Sequence, residues 1–125
     1  MPTNIIWKDA SERALSELNR TTSVAWTDLD ITAYTSAAAK FAVLNMVMAL
    51  NAAGSANWNV FQIRKNGTTP TYVFECAIPY NFAVESQHRF CVIIGLDTGQ
   101  VIEYKIDVGT DCTISCTLDA MGYVE

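Results

Sequence analysis

Basic side chains are scarce in this sequence. Eight Lys and Arg stand against thirteen Asp and Glu in 125 residues, which gives a formal charge of -5. Nucleic-acid binding depends mainly on clustered Lys and Arg, and here they are few and scattered. We therefore expect no nucleic-acid partner.

Long apolar runs are also missing. The nearest approach, residues 41 to 50, is far shorter than the roughly 20 residues that a membrane-spanning helix needs. The first residues lack the basic start and apolar stretch of a signal peptide. We expect no membrane partner, and we expect synthesis and folding in a host cytoplasm.

The residue patterns of common active sites are absent as well. The single histidine, His88, lies in a polar stretch at the start of an expected strand, where a solvated side chain is the favoured interpretation. There is no glycine-rich phosphate loop and no CxxC pair for zinc. We expect no catalytic residues, no cofactor and no metal ion. Calcium at Asp28 and Asp30, or within residues 107 to 111, is a weaker alternative because neither segment is densely acidic.

Four cysteines fall in the second half of the chain, and two of them alternate with apolar residues. A strand through this region places Cys112, Ile114, Cys116 and Leu118 on one face. That pattern favours buried free thiols at Cys76, Cys91, Cys112 and Cys116. One disulfide bridge is the alternative.

Half of the residues are hydrophobic and 17% are charged, so the chain can bury a core. Its length suits a single domain. We divide it into residues 1 to 20, an N-terminal arm with a short helix, and residues 21 to 125, a β-sandwich.

The N-terminal helix is predicted from a capping pattern at residues 9 to 12, with Ala14, Leu15 and Leu18 on one side. A helix of about ten residues is marginal alone and must dock on something. It and the preceding arm either cover the end of their own domain, which is favoured, or bind a partner. The candidate partner-binding residues are Ile5, Ile6, Trp7, Leu15 and Leu18.

From residue 21 the sequence turns to β. Residues 37 to 53 are ambiguous because Ala, Leu and Met favour a helix. We predict a strand there, since the run is apolar nearly all round and a strand's two faces could serve the core and a subunit contact.

Later segments alternate more regularly. Residues 89 to 96 and 100 to 108 are predicted to form a hairpin around Asp97-Thr98-Gly99. Together the segments predict an all-β fold, a jelly-roll-like antiparallel sandwich of seven to eight strands.

Aromatic residues near strand ends raise a second possibility, since such rings can stack on sugars. The group comprises Trp58, Tyr72, Tyr80 and Phe82, and Trp58 and Tyr80 are our glycan-binding candidates. Inward packing of Trp58 at the start of a strand is the favoured alternative. Trp26 is assigned to the core.

Five segments carry a family resemblance that covers roughly residues 26 to 123. They are 26 to 34 (WTDLDITAY), 39 to 44 (AKFAVL) and 61 to 67 (FQIRKNG), with GQVIEYK at 99 to 105 and Gly122-Tyr123 near the end. This succession resembles the small jelly-roll domains of tailed-phage virion proteins. The resemblance implies a capsid decoration, head-fibre or tail-appendage protein, commonly a trimer, that contacts phage capsid or tail proteins in the virion. A host-surface glycan is the further partner to consider.

Overall fold

The computed structural model describes residues 4–67 and 73–125, and these residues form eight β-strands and one short 3-10 turn. The first four strands are β1 (Ile5–Arg20), β2 (Val24–Asp30), β3 (Phe41–Ala52) and β4 (Trp58–Lys65). The 3-10 turn, Thr32–Tyr34, lies between β2 and β3. The last four strands are β5 (Phe74–Pro79), β6 (Gln87–Gly95), β7 (Val101–Asp107) and β8 (Thr113–Val124).

The strands form two four-stranded sheets in which the neighbouring strands pair antiparallel. We call the sheet of order β1-β8-β3-β6 sheet A and the sheet of order β2-β7-β4-β5 sheet B. Six of the seven steps along the chain change sheet, and only β4 and β5 are consecutive neighbours in one sheet. The all-β sandwich predicted from sequence is confirmed.

The core lies between the two sheets and is built by alternation along the strands. In β7 the side chains of Ile102, Tyr104 and Ile106 are buried, and those between them are partly exposed. The inward face predicted for the last strand is confirmed, since Cys112, directly before β8, and Ile114, Cys116 and Leu118 within it are all buried. Because side chains alternate in both sheets, each sheet has one apolar side, and these two sides pack against each other and exclude water.

The predicted N-terminal helix is wrong, because residues 5 to 20 form β1, which pairs with β8. The register shifts three times, between Trp7 and Glu12, Arg13 and Leu15, and Glu17 and Arg20. Each bulge interrupts the two-residue period of a strand. The apolar residues therefore fell at spacings that imitate a helix, and pairing with β8 overrode the local propensity.

The ambiguous segment forms a strand as predicted, since β3 runs from Phe41 to Ala52 between β8 and β6. The predicted hairpin at residues 89 to 108 is wrong in its pairing. Both strands exist, but β6 belongs to sheet A and β7 to sheet B. The turn between them carries the chain across the sandwich, and local alternation cannot distinguish the two outcomes.

The four thiols are free, and three of them are buried. The desolvation of Cys76, helped by the neighbouring charge of Glu75, raises its pKa to about 12. Burial also raises the pKa of Cys116. Cys91 is exposed, so the expectation that it is buried is wrong. It lies in β6, whose outward side is not covered by another part of the described chain.

Candidate functional site

A group of large apolar side chains lies on the outer side of sheet A, facing away from the core. Two cross-strand rows carry it. In one row Trp7 pairs with Gly122, Gly122 with Val43, and Val43 with Ile93. In the next row Ile5 pairs with Val124, Val124 with Phe41, and Phe41 with Gly95. We call the surface formed by Ile5, Trp7, Phe41, Val43 and Ile93 the apolar face.

Four members of the apolar face are open to solvent. The exposed fractions are 50% for Ile5, 62% for Trp7, 45% for Phe41 and 53% for Ile93, whereas Val43 between them is 2% exposed. Large side chains of this kind have areas of about 150–250 Å², so the four together expose on the order of 400 Å² of mostly apolar surface. Isolated exposed hydrophobic residues are ordinary, but a contiguous patch marks a contact surface.

Gly122 explains how Trp7 reaches the middle of this surface. A Cβ atom at position 122 would lie 2.6 Å from the carbonyl oxygen of Ile6 and 3.3 Å from the Trp7 ring. A side chain would therefore push β1 away from β8. Because Gly122 has none, the indole lies directly over the backbone of β8, beside Val43.

A polar row borders the apolar face on the side toward the middle of the sheet. Asn45 pairs with Cys91 and with Asp119, and Asp119 pairs with Arg13. The Arg13 guanidinium donates to the Asp119 carboxylate. An apolar centre with a polar border is the arrangement found in protein interfaces.

The structure separates the five candidate partner-binding residues. Ile5 and Trp7 belong to the apolar face. Ile6 lies on the other side of β1, opposite Tyr123. Leu15 is buried in the core of its own chain. Leu18 is exposed at the far end of sheet A, where it lines a shallow groove of about 290 Å³ with Arg13, Val47 and Thr117 among others.

Sequence reasoning missed Phe41, Val43 and Ile93. The signal was present in the alternation of residues 41 to 50, in which the odd-numbered positions form the second face of β3. No local pattern connects them with Trp7, since the rows join residues that are distant in sequence.

The glycan-binding candidates lie at the opposite end of the molecule. Trp58 begins β4, pairs with Pro79 and is 59% exposed, so the predicted inward packing is wrong. Tyr80 instead packs against the core. Phe82 is exposed in the turn after β5, and Tyr72 lies outside the described residues. The structure therefore leaves Trp58 without Tyr80 as a partner on the same surface.

The outer side of sheet B is polar, and Trp26 lies on it rather than in the core. The guanidinium of Arg64 lies 3.9 Å from the centre of the Trp26 ring. Its Nε also bonds to Glu103 Oε1 at 3.0 Å. Gln62 donates to Glu75, and Lys105 lies near Asp107.

Charged groups elsewhere act on local structure. The hydroxyl of Thr32, with its backbone N–H, donates to Asp30 and lowers the pKa of that carboxyl group. His88 is the second residue of β6 and pairs with Met48. Within residues 4–67 and 73–125, no three His, Cys, Asp or Glu side chains lie close enough to hold a metal ion.

Among the same residues no helix is long and apolar enough to cross a membrane. No protein-family model matches the sequence, and a comparison with curated proteins finds no similar one. The geometry of the apolar face is thus the main guide to function.

Proposed function

We propose that this chain is a non-enzymatic structural protein of a phage virion, which assembles as a homo-oligomer and docks through its apolar face on capsid or tail proteins. The observation that carries the proposal is the exposure of Ile5, Trp7, Phe41 and Ile93 together on one side of sheet A. The fold supports it too. The orders β1-β8-β3-β6 and β2-β7-β4-β5 correspond to the two interlocked Greek keys of a jelly roll. The jelly-roll type agrees with the sequence resemblance, which favours a trimer.

The size of the apolar face suits repeated weak contacts. Burying on the order of 400 Å² contributes about 10 kcal/mol at about 25 cal/mol per Å². Losing the freedom of two bodies costs about 4–15 kcal/mol, so one copy binds weakly. Many copies on a lattice become firmly attached through effective concentration. A capsid decoration or appendage protein works under that condition.

Light scattering during size-exclusion chromatography tests the proposal. We expect the full chain to elute as an oligomer by itself and together with the particles when it is mixed with purified phage particles. The double variant Trp7→Ser, Phe41→Ser should keep its β circular-dichroism spectrum and elute apart from the particles. The control is Trp58→Ala, which removes an exposed aromatic ring at the other end and should elute with the particles as the natural chain does.

Two results would contradict the proposal. One is equal elution of the full chain and the double variant with the particles, together with absence of the chain from purified particles analysed by mass spectrometry. The other is a monomer that turns over a substrate.

A second candidate function is recognition of a receptor glycan through Trp58. Its exposure at the start of β4 favours this candidate, because a free indole can stack on a sugar ring. Trp58 and the apolar face lie at opposite ends and on opposite sheets, so docking and recognition are compatible. In a glycan-array screen, Trp58→Ala should abolish binding and Trp7→Ser should not; binding that survives Trp58→Ala eliminates this candidate.

A further inference from the structure

The sandwich has four edge strands, and they differ in how well they resist pairing with another strand. β1 is interrupted by three register shifts and carries charged residues along its length. β2 has seven residues and a register shift, and β5 has six residues and ends at Pro79. Bulges, charges, proline and shortness are the devices that protect sheet edges. β6 differs, since its nine residues pair with β3 in one unbroken register.

The free backbone groups of β6 can be located from one hydrogen bond. The N–H of Leu96 donates to the carbonyl of Lys40, so Leu96 is directed toward β3. Directions alternate along an antiparallel ladder. The N–H and C=O groups of Arg89, Cys91 and Ile93 are therefore directed away from β3, at the edge of sheet A.

Open space lies beside this edge. A groove of about 490 Å³ runs between β6 and β5 and is open to solvent. Phe90, Cys91 and Ile93 line it and are themselves exposed. Among residues 4–67 and 73–125 nothing pairs with these backbone groups, so a second extended strand finds donors, acceptors and apolar side chains at one place.

We infer that β6 pairs antiparallel with β6 of a second copy of this chain, about a two-fold axis, so that the two A sheets become one continuous sheet. The register that overlaps all nine residues puts Cys91 opposite Cys91 of the second copy. Arg89 then lies opposite Ile93, and Phe90 opposite Val92. In this register the backbone N–H and C=O groups that are directed away from β3 in one copy form hydrogen bonds with the same groups of the other copy.

The position of Arg89 selects one register for a second copy of this chain. Arg89 is the only residue of β6 with a permanent charge. In the full-overlap register it meets an isoleucine, whereas a shift by two residues on each copy would oppose two arginines, which is unfavourable. A two-fold interface also needs one self-complementary surface, and a strand edge with alternating donors and acceptors is one.

The pairing rests on the proposed homo-oligomer and specifies its contact: a two-fold axis joins copies in pairs, in place of the single trimer that the resemblance implies. A two-fold axis perpendicular to the joined sheet leaves both apolar faces on the same side of it. The apolar area offered to a lattice then doubles to about 800 Å² per pair, and each copy raises the effective concentration of the other. Ile93 belongs to both surfaces, but Trp7 and Phe41 lie outside the edge contact.

Oxidative cross-linking of the full chain tests the register. In a hydrogen-bonded antiparallel pair the two Cα atoms are about 5.5 Å apart, inside the range of about 4.4–6.8 Å found in disulfides. The two Cβ atoms must approach by about 1 Å to reach bonding distance. Diamide would take up two electrons and two protons from the two Cys91 thiols as they form the bridge. We expect a cross-linked dimer on non-reducing gels at micromolar protein concentration. The buried Cys76, Cys112 and Cys116 should contribute nothing under native conditions.

A matched variant separates specific pairing from collision. Arg89 and Cys91 are both exposed residues of β6, so Cys91→Ser, Arg89→Cys moves the thiol to another exposed position. In this register the two position-89 residues are more than about 13 Å apart. It should cross-link at least about tenfold more slowly than the natural chain. Equal rates, or no dimer from the natural chain, would refute the inference. Trp7→Ser, Phe41→Ser should cross-link as the natural chain does, so failure of the docking proposal remains distinguishable.

Discussion

The outer sides of the two sheets use their exposed residues in opposite ways. On sheet B the side chains pair with one another, as Arg64 does with Glu103 and Trp26, and Gln62 does with Glu75. On sheet A, Trp7 and Ile93 remain exposed. A surface whose groups satisfy one another has little to gain from a partner, whereas exposed apolar area gains by being buried. This difference indicates that the outer side of sheet A, and not that of sheet B, is the surface that binds a partner.

The largest expected effect comes from removing the space that Trp7 occupies. Gly122→Val should force β1 away from β8, because even a Cβ atom would lie 2.6 Å from the Ile6 carbonyl oxygen. We expect a loss of about 2–4 kcal/mol in the free energy of unfolding, measured with urea. The control is Gly99→Ala, whose Cβ would make ordinary contacts at 3.6 and 3.9 Å. Equal stability of the two variants would show that Gly122 does not position the apolar face.

The second largest effect is a loss of stability from a substitution on the polar outer side of sheet B. Arg64→Ala removes an ion pair whose side chains are 18% and 16% exposed, together with the stacking on Trp26. We expect a loss of about 1–2 kcal/mol in unfolding free energy and no change of oligomeric mass. Lys105→Ala, which removes a more exposed pair, should cost less than about 0.5 kcal/mol. A change of oligomeric mass in Arg64→Ala would break the distinction between the two sides.

The smallest effect lies in the turn that connects the two sheets after β6. The backbone N–H of Val101 donates a hydrogen bond to the Asp97 carboxylate, and the side-chain amide of Asn66 donates a second one. These bonds, that of Val101 most of all, hold the pKa of the Asp97 carboxyl group below its ordinary value. A lowered pKa contributes stability that is present above the unfolded value, about 3.9, and is lost as the pH falls through the folded value. Asp97→Asn should therefore cost up to about 1 kcal/mol near pH 7.

Urea unfolding at several pH values checks this sign. The stability difference between the natural chain and Asp97→Asn should shrink as the pH falls below about 4. A difference that stays constant down to pH 2 would show that the ionised carboxylate does not act there.

Much of the fold could be predicted from the sequence, and the failures have physical causes. The inward residues of β7 and β8 were found because these strands keep a two-residue period where their side chains enter the core. β1 was mistaken for a helix because three bulges interrupt that period. The β6–β7 turn was mistaken for a hairpin because a turn that changes sheet has the same local sequence signals as one that does not.

The candidate site was predicted only in part. Ile5 and Trp7 were predicted as candidate partner-binding residues, and they do lie on the apolar face. Phe41 and Ile93 join them only through the pairing of β1, β8, β3 and β6, and this order is a property of the whole topology. Trp58 illustrates the reverse case, since its position at the start of a strand was predicted and its outward direction was not.

The first and last described strands meet at one corner of the molecule, where the N–H of Glu125 donates to the carbonyl of Asn4. Ile5 follows Asn4 directly, so a tag or reporter fused at either position would emerge next to the apolar face and obstruct it. Residues 53–57 and 80–86 connect strands at the other end of the molecule. A peptide inserted there would point away from the docked side, which makes those loops the natural place for displaying a foreign epitope.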